Sequence, residues 1–206
     1  MNYYFPFFGC FLIFIAWLTY EMHKSTRQAN KKDTEFWERE SAANLTRRVP
    51  LEKIPFLTIP LDTFPLNKFK DEELQECENI LLTLSEKKIL NVTGKTATDL
   101  KEQYGPANLA LLDECDLNFT ELTKTLVRYG NRLHELNHDA ECITVLEYGI
   151  AILTDISANY KLLAELYIKE HQPEKISALE DAAKQLDSLM KNSILNYLTN
   201  VQASQP

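Results

Sequence analysis

The first twenty residues carry no charged side chain, and glycine is scarce throughout, with five in 206 residues. So few glycines argue against glycine-rich phosphate loops and against turn-rich all-β folds. Cysteine is sparse as well, with four in the chain. Cys10 falls in the uncharged run, which leaves Cys77, Cys115 and Cys142. That odd, widely spaced set excludes a disulfide framework, and no C-x-x-C pair suggests zinc or redox work. No G-x-S-x-G or G-x-G-x-x-G occurs. Gly94-Lys95-Thr96 has the form of a P-loop ending, but the earlier glycine it needs is replaced by Ile89, so the phosphate cradle is missing. No reaction and no cofactor is implied.

What is present is ordinary in bulk. Apolar residues make up 45% and charged residues 25%, which excludes a disordered or collagen-like chain. The length suits one anchor plus one domain. Tyr3 to Tyr20 reads YYFPFFGCFLIFIAWLTY, long enough as a helix to approach the thickness of a hydrocarbon core. Trp17 and Tyr20 would mark one lipid boundary, Tyr3 and Tyr4 the other. No Lys or Arg precedes the run and Ala-Trp-Leu-Thr-Tyr is a poor cleavage site, so an uncleaved anchor over residues 1–20 is expected rather than a signal peptide. Lys24, Arg27, Lys31 and Lys32 follow it. The positive-inside rule then predicts a single-pass protein of the cell membrane, N-terminus outside and residues 21–206 in the cytoplasm. Three N-x-T sequons, at Asn44, Asn91 and Asn118, would matter only in a glycosylating lumen.

Charge is uneven. Residues 21–54 hold eight Lys/Arg against six Asp/Glu, whereas residues 55–206 hold fourteen against twenty-four. The mildly basic stretch suits anionic headgroups or is simply a solvated face. The acidic body would be repelled by nucleic acid, so no nucleic-acid partner is expected. Helix formers over residues 21–49 predict a juxtamembrane helix around Phe36 and Trp37. Then Pro50, Pro55, Pro60 and Pro65 recur every five residues, interleaved with Leu51, Ile54, Phe56, Ile59 and Phe64. Prolines at that spacing forbid helix, and apolar side chains at that density are costly to leave in water. Residues 50–70 are therefore expected to form an extended strap, laid either on its own domain or on a partner.

Helical spacing begins at Asp71, which can cap a helix carrying Leu74, Cys77, Leu81 and Leu84. Thr98 is placed to cap a short helix ending before Gly105. Pro106 can open another, with Leu109, Leu112 and Cys115 on one face. Residues 71–122 thus read as a divergent helical region. Beyond it, the chain aligns with itself at an offset of 34. Leu126, Tyr129, Gly130 and Leu133 match Tyr160, Leu163, Ala164 and Tyr167. Cys142, Val145, Gly149 and Ile152 match Ile176, Leu179, Ala183 and Leu186. Ile194, Tyr197, Leu198 and Val201 continue the register as a capping helix.

The pattern over residues 123–190 resembles the tetratricopeptide repeat, whose unit is a pair of antiparallel helices. It departs from that pattern at Leu126, Thr154 and Glu180. The whole arrangement is also similar to a group of uncharacterised membrane-anchored proteins of anaerobic Gram-positive bacteria, a resemblance that implies no activity. The expected fold class is all-α: a transmembrane helix, the strap, then a tetratricopeptide-like superhelix over residues 123–206. The repeat resemblance implies a concave face lined by the first helix of each unit. Here that face would hold Lys124, Val127, Asn131 and His134, then Lys161, Glu165 and Ile168, a mixed surface suited to a protein or peptide partner. A membrane-anchored, non-catalytic adaptor is the function expected.

One motif points elsewhere. His134-Glu135-Leu136-Asn137-His138 matches H-E-x-x-H, the zinc-protease pattern, which needs both imidazoles one turn apart on an unbroken helix. The repeat register puts Asn137 in a turn, so His138 should leave that helix, and Glu141, Glu147 and Glu165 are unsupported third ligands. A zinc hydrolase using His134, Glu135 and His138 is the rival reading, and a structural subunit of an envelope complex is a third.

Overall fold

The computed structural model describes residues 4–203, and among them all regular structure is helical, with no strand. The expected all-α class is therefore met. The first helix, α1 (Tyr4–Asn44), is 41 residues long and unbroken. It corrects the expectation of a transmembrane anchor. Among the described residues, no helix is long and apolar enough to cross a membrane. The uncharged run ends at Tyr20, within that helix. Glu21, Lys24 and Arg27 follow within the same helix. The single-pass placement in the cell membrane, with an outer N-terminus and a cytoplasmic domain, is corrected with it, because it rested on a span that the described residues do not contain. Tyr3, the outer end of the expected span, lies outside the described residues.

Only the C-terminal end of α1 packs on the rest of the chain, against α3 (Ala97–Tyr104). Arg39 donates to both oxygens of Glu102, at 2.8 and 2.6 Å, and to Asp99 at 2.5 Å. Glu40 accepts from the Thr98 hydroxyl at 2.7 Å and pairs with Lys101. Ala43 is fully buried. Just beyond, Gly105 (φ +85°) lets α3 end against the incoming chain, because a Cβ there would sit 2.8 Å from the Arg47 carbonyl oxygen. Thr96, not Thr98, caps α3, in a reciprocal pair with Asp99. Thr98 is two positions too late and spends its hydroxyl on Glu40.

The strap lies on its own domain. The residue before each of three prolines is an apolar anchor: Ile54, Ile59 and Phe64 are 4, 5 and 6% exposed. Tight i→i+2 turns centre on the prolines themselves, with Phe56 N–H bonding Ile54 O, Leu61 N–H bonding Ile59 O and Leu66 N–H bonding Phe64 O. Proline's fixed φ is close to that of an inverse γ-turn, so each repeat of five drops one side chain into the core. Ile54 joins one apolar cluster with Leu90, Leu100, Tyr104 and Leu112. Ile59 and Phe64 join the larger one. Polar ties fix the register: Leu57 N–H bonds Ile89 O at 2.8 Å, and the Tyr148 hydroxyl donates to Thr58 O at 3.0 Å.

The strap ends at a buried carboxylate. Glu78, on α2 (Glu72–Ser85), is 3% exposed. One oxygen accepts the N–H of Asn67, at the strap's end, and the other accepts the hydroxyl of Tyr129, each at 3.0 Å. Tyr129 belongs to α4 (Leu109–Glu135), which follows the short Pro106–Asn108 turn and runs without a break across residues 122 and 123. Asp71 caps α2 as expected, accepting Leu74 N–H at 3.1 Å and also gripping Arg132 of α4 at 2.6 Å.

The remaining helices are α5 (Asp139–Ala151), α6 (Ser157–Lys169), α7 (Ile176–Lys184) and α8 (Lys191–Ala203). Each packs on its predecessor, and α6 also packs on α8. Left-handed residues follow the ends of α4, α5 and α6: Asn137 (φ 63°), Leu153 (φ 58°) and His171 (φ 57°). The chain then folds back, with His138 N–H on Leu133 O and Gln172 N–H on Tyr167 O, each at 2.8 Å. Those two turns are 34 positions apart, as are the first residues of α6 and α8. Gly130 lets α5 close on α4, since a Cβ there would meet Leu146 Cδ2 at 2.7 Å.

Two measurements test this packing. Phe64→Ala should cost about 3–5 kcal/mol in urea unfolding, while Phe36→Ala, on the exposed side of α1, should change stability by less than about 0.5 kcal/mol. Equal effects would mean that the strap is not part of the core. The Asp71 carboxyl is lowered to about 2 from its usual 3.8, chiefly by Arg132 and then by Leu74 N–H. Its contribution is present above the unfolded-state value and is lost as pH falls through the folded one. The stability gap between wild type and Asp71→Asn should therefore be constant above about pH 5 and close between about pH 4 and 2.

Candidate functional site

The helix break at Asn137 decides the histidine motif. His134 is in the last turn of α4, Leu136 caps that helix, and His138 stands before α5. The two imidazoles point to different partners. His134 Nδ1 lies 2.6 Å from Asp139 Oδ1. The His138 ring stacks on Phe69 of the strap, with centroids 3.7 Å apart and planes 16° apart. Glu135 pairs with Arg132 at 2.9 Å. The geometry that H-E-x-x-H chemistry requires is therefore not formed. Among the described residues no group of three or more His, Cys, Asp or Glu side chains is placed to hold a metal ion. Of the third-ligand candidates, Glu141 pairs with Lys68, Glu147 accepts the Tyr167 hydroxyl at 2.8 Å, and Glu165 faces α8.

Asp139 instead forms a junction. One oxygen meets His134 of α4 and the other pairs with Lys169 of α6. Burial pushes its carboxyl up, but Lys169 and His134 outweigh this and hold it below the usual carboxylate range. The three helix ends are thereby tied together at one edge. Cys142 lies fully buried on α5, and burial raises its thiol to about 12, so it is a packing residue and not a nucleophile.

The side chains expected on a concave face divide into two sets. On α6, Lys161 lies over the Tyr197 ring at 5.4 Å and Glu165 accepts the Tyr197 hydroxyl at 3.1 Å. Ile168 is half-buried against the main core. On α4, Lys124 and Asn131 are exposed and have no polar partner among the described residues, and Val127 is half-buried. Helices α4 and α6 touch, and α8 covers part of α6, so Tyr197 joins the α6 set. Its apolar spacing pointed only to a capping helix, and nothing in that pattern showed that its hydroxyl would reach Glu165.

A second concavity was not foreseen. It is a cleft of about 350 Å³ where four segments converge. The strap supplies Leu57, the loop before α3 supplies Leu90 and Asn91, the α5–α6 turn supplies Leu153, and the α7–α8 turn supplies Leu186 and Asp187. Asn91 holds it together, donating to Ile152 O at 3.0 Å and Leu153 O at 3.2 Å while accepting Thr93 N–H at 3.0 Å. Gly94 (φ +81°) closes the far side, for a Cβ there would fall 2.2 Å from Asp187 O. The sequence signal that could have drawn attention to it is the apolar pair Leu189-Met190 in a turn. No known protein family, curated protein or solved structure matches this chain.

Gly94→Ala is expected to destabilise the fold by about 1–3 kcal/mol, through steric overlap with backbone and a disfavoured φ. Thermal unfolding beside Gly9→Ala, where a Cβ meets nothing within 4 Å, checks it.

Proposed function

We propose that this chain is a non-catalytic protein-binding scaffold, built on tetratricopeptide-like helix pairs, that holds a protein or peptide partner on the face of α4 and α6. The observation that carries the reading is the pair of left-handed turns at Asn137 and His171, 34 residues apart, each reversing the chain after a helix. Such a beat is what a two-helix repeat needs, and repeat arrays bind through the surface that their first helices share. Lys124 and Asn131 on α4, with Lys161 and Glu165 on α6, give that surface both charge signs and amide groups, while Val127 and Ile168 give it apolar contact. Neutral and charged donors alternating with apolar spots suit an extended peptide. The separation of His134 from His138 weighs against the hydrolase rival.

The test is photo-crosslinking in the intact cell from single positions of the full chain. A crosslinking residue at Lys124 or Lys161 should give a discrete adduct of higher mass, absent when the same residue replaces Glu114 or Ser177. Lys124→Glu with Lys161→Glu should lower the adduct yield of a probe at Asn131 by about tenfold, the equivalent of about 1.4 kcal/mol. Equal adducts from all positions, or none from α4 and α6, would reject the scaffold reading.

A further inference from the structure

The unforeseen cleft continues past Asp187 into a second recess of about 690 Å³, lined by Gly94, Asp155, Ser188, Leu189 and Met190. The two recesses share Thr93 and Asp187. Three features of this combined cleft bear on what it can bind. Its walls are mostly apolar, from Leu57, Leu90, Leu153 and Leu186. Its rim carries Leu189, fully exposed, next to the exposed Met190. Its two carboxylates have no cation beside them: neither recess is lined by a Lys or Arg. Asp155 accepts the Ser188 hydroxyl at 2.7 Å. The carboxylate of Asp187 has no partner among the described residues. The nearby lysines are engaged elsewhere, Lys184 with Asp181 at 2.8 Å and Lys191 with Lys184 O at 2.6 Å.

From this arrangement we infer a peptide-binding site: the cleft takes an extended peptide whose lysine or arginine reaches Asp187 while flanking apolar side chains lie on Leu57, Leu153 and Leu189. The charge of the ligand follows from Asp187 and Asp155, which attract a cation and would repel an anion. Its apolar part follows from the walls and from Leu189, whose full exposure is relieved by contact. A peptide fits better than a free amine because the recesses run on either side of Asp187, so a single cationic group would leave both apolar walls bare. The site is separate from the face of α4 and α6 and does not depend on the scaffold reading.

Fluorescence polarisation of the full chain in 150 mM salt tests it, with a labelled Leu-Lys-Leu-Arg-Leu-Lys hexapeptide as probe. Saturable binding is expected, weakened at least tenfold by Asp187→Asn and by Leu189→Asp, and unchanged by Asp113→Asn, which removes an equal charge from an exposed position of α4. Asp187→Asn should keep the thermal midpoint of the wild type, which separates lost binding from lost folding. The same peptide with glutamates for its cations should not bind, and cadaverine should not displace the probe at equal concentration. Equal loss on Asp187→Asn and Asp113→Asn would reduce the effect to overall charge and overturn the inference. So would binding of the acidic peptide, displacement by cadaverine, or no saturable binding at all.

Discussion

The strap between α1 and α2 is seated on the helices by apolar side chains that immediately precede prolines. A proline biases its predecessor toward extended backbone and supplies no donor of its own. Placed every five residues, it makes a chain that forms no α-helix, only one 3-10 turn at Leu51–Lys53, and turns sharply at fixed intervals. Ile54, Ile59 and Phe64 use those turns to reach the core, Ile54 in one apolar cluster and Ile59 and Phe64 in the other, both of which α4 also enters. Burial of this kind contributes about 25 cal/mol per Å² of apolar surface, which exceeds what the exposed ion pairs of this molecule can add. The Glu78 carboxylate ends the strap by bonding Asn67 and Tyr129. A buried acceptor with both donors in place specifies one register, because any slip would leave polar groups unpaired.

The second determinant is the set of left-handed residues at helix ends. Asn137, Leu153 and His171 reverse the chain where an L side chain is normally disfavoured, and the tight backbone bonds across each turn offset that preference. The consequence for chemistry is direct. One positive φ at Asn137 sends His134 to Asp139 and His138 to Phe69, so a five-residue pattern that suggests zinc becomes two structural contacts.

The long first helix follows different rules. Its hold on the body is electrostatic, through Arg39 with Asp99 and Glu102, and through Glu40 with Lys101. The carboxyls of Glu102 and Asp99 are both held below the usual range, Glu102 chiefly by Arg39 and Asp99 chiefly by Thr96. The Arg39 pairs are largely exposed and fix direction better than they add stability, whereas the Glu40–Lys101 pair is half-buried. Beyond them Phe8, Phe11, Ile13 and Trp17 stand exposed on the same helix.

Local physics settled much of this protein from its residues alone. Proline spacing announced the strap, the 3.6-residue period announced the helices, and Asp71 capped α2 as its position required. The break at Asn137 was legible because the 34-residue offset placed a turn there. Three things were not legible. Whether the strap would lie on its own domain or on a partner depended on surfaces 70 to 90 positions away, such as Tyr148 and Glu141. The cleft around Asp187 exists only where four distant segments meet, and no local pattern encodes that meeting. The anchor expectation rested on the length of the uncharged run from Tyr3 to Tyr20, yet among the described residues no helix is long and apolar enough to cross a membrane. Periodicity and caps act over a few residues, so the sequence by itself determined them; contacts among remote segments carry the loop-closure entropy of the whole chain, so only tertiary packing could decide them.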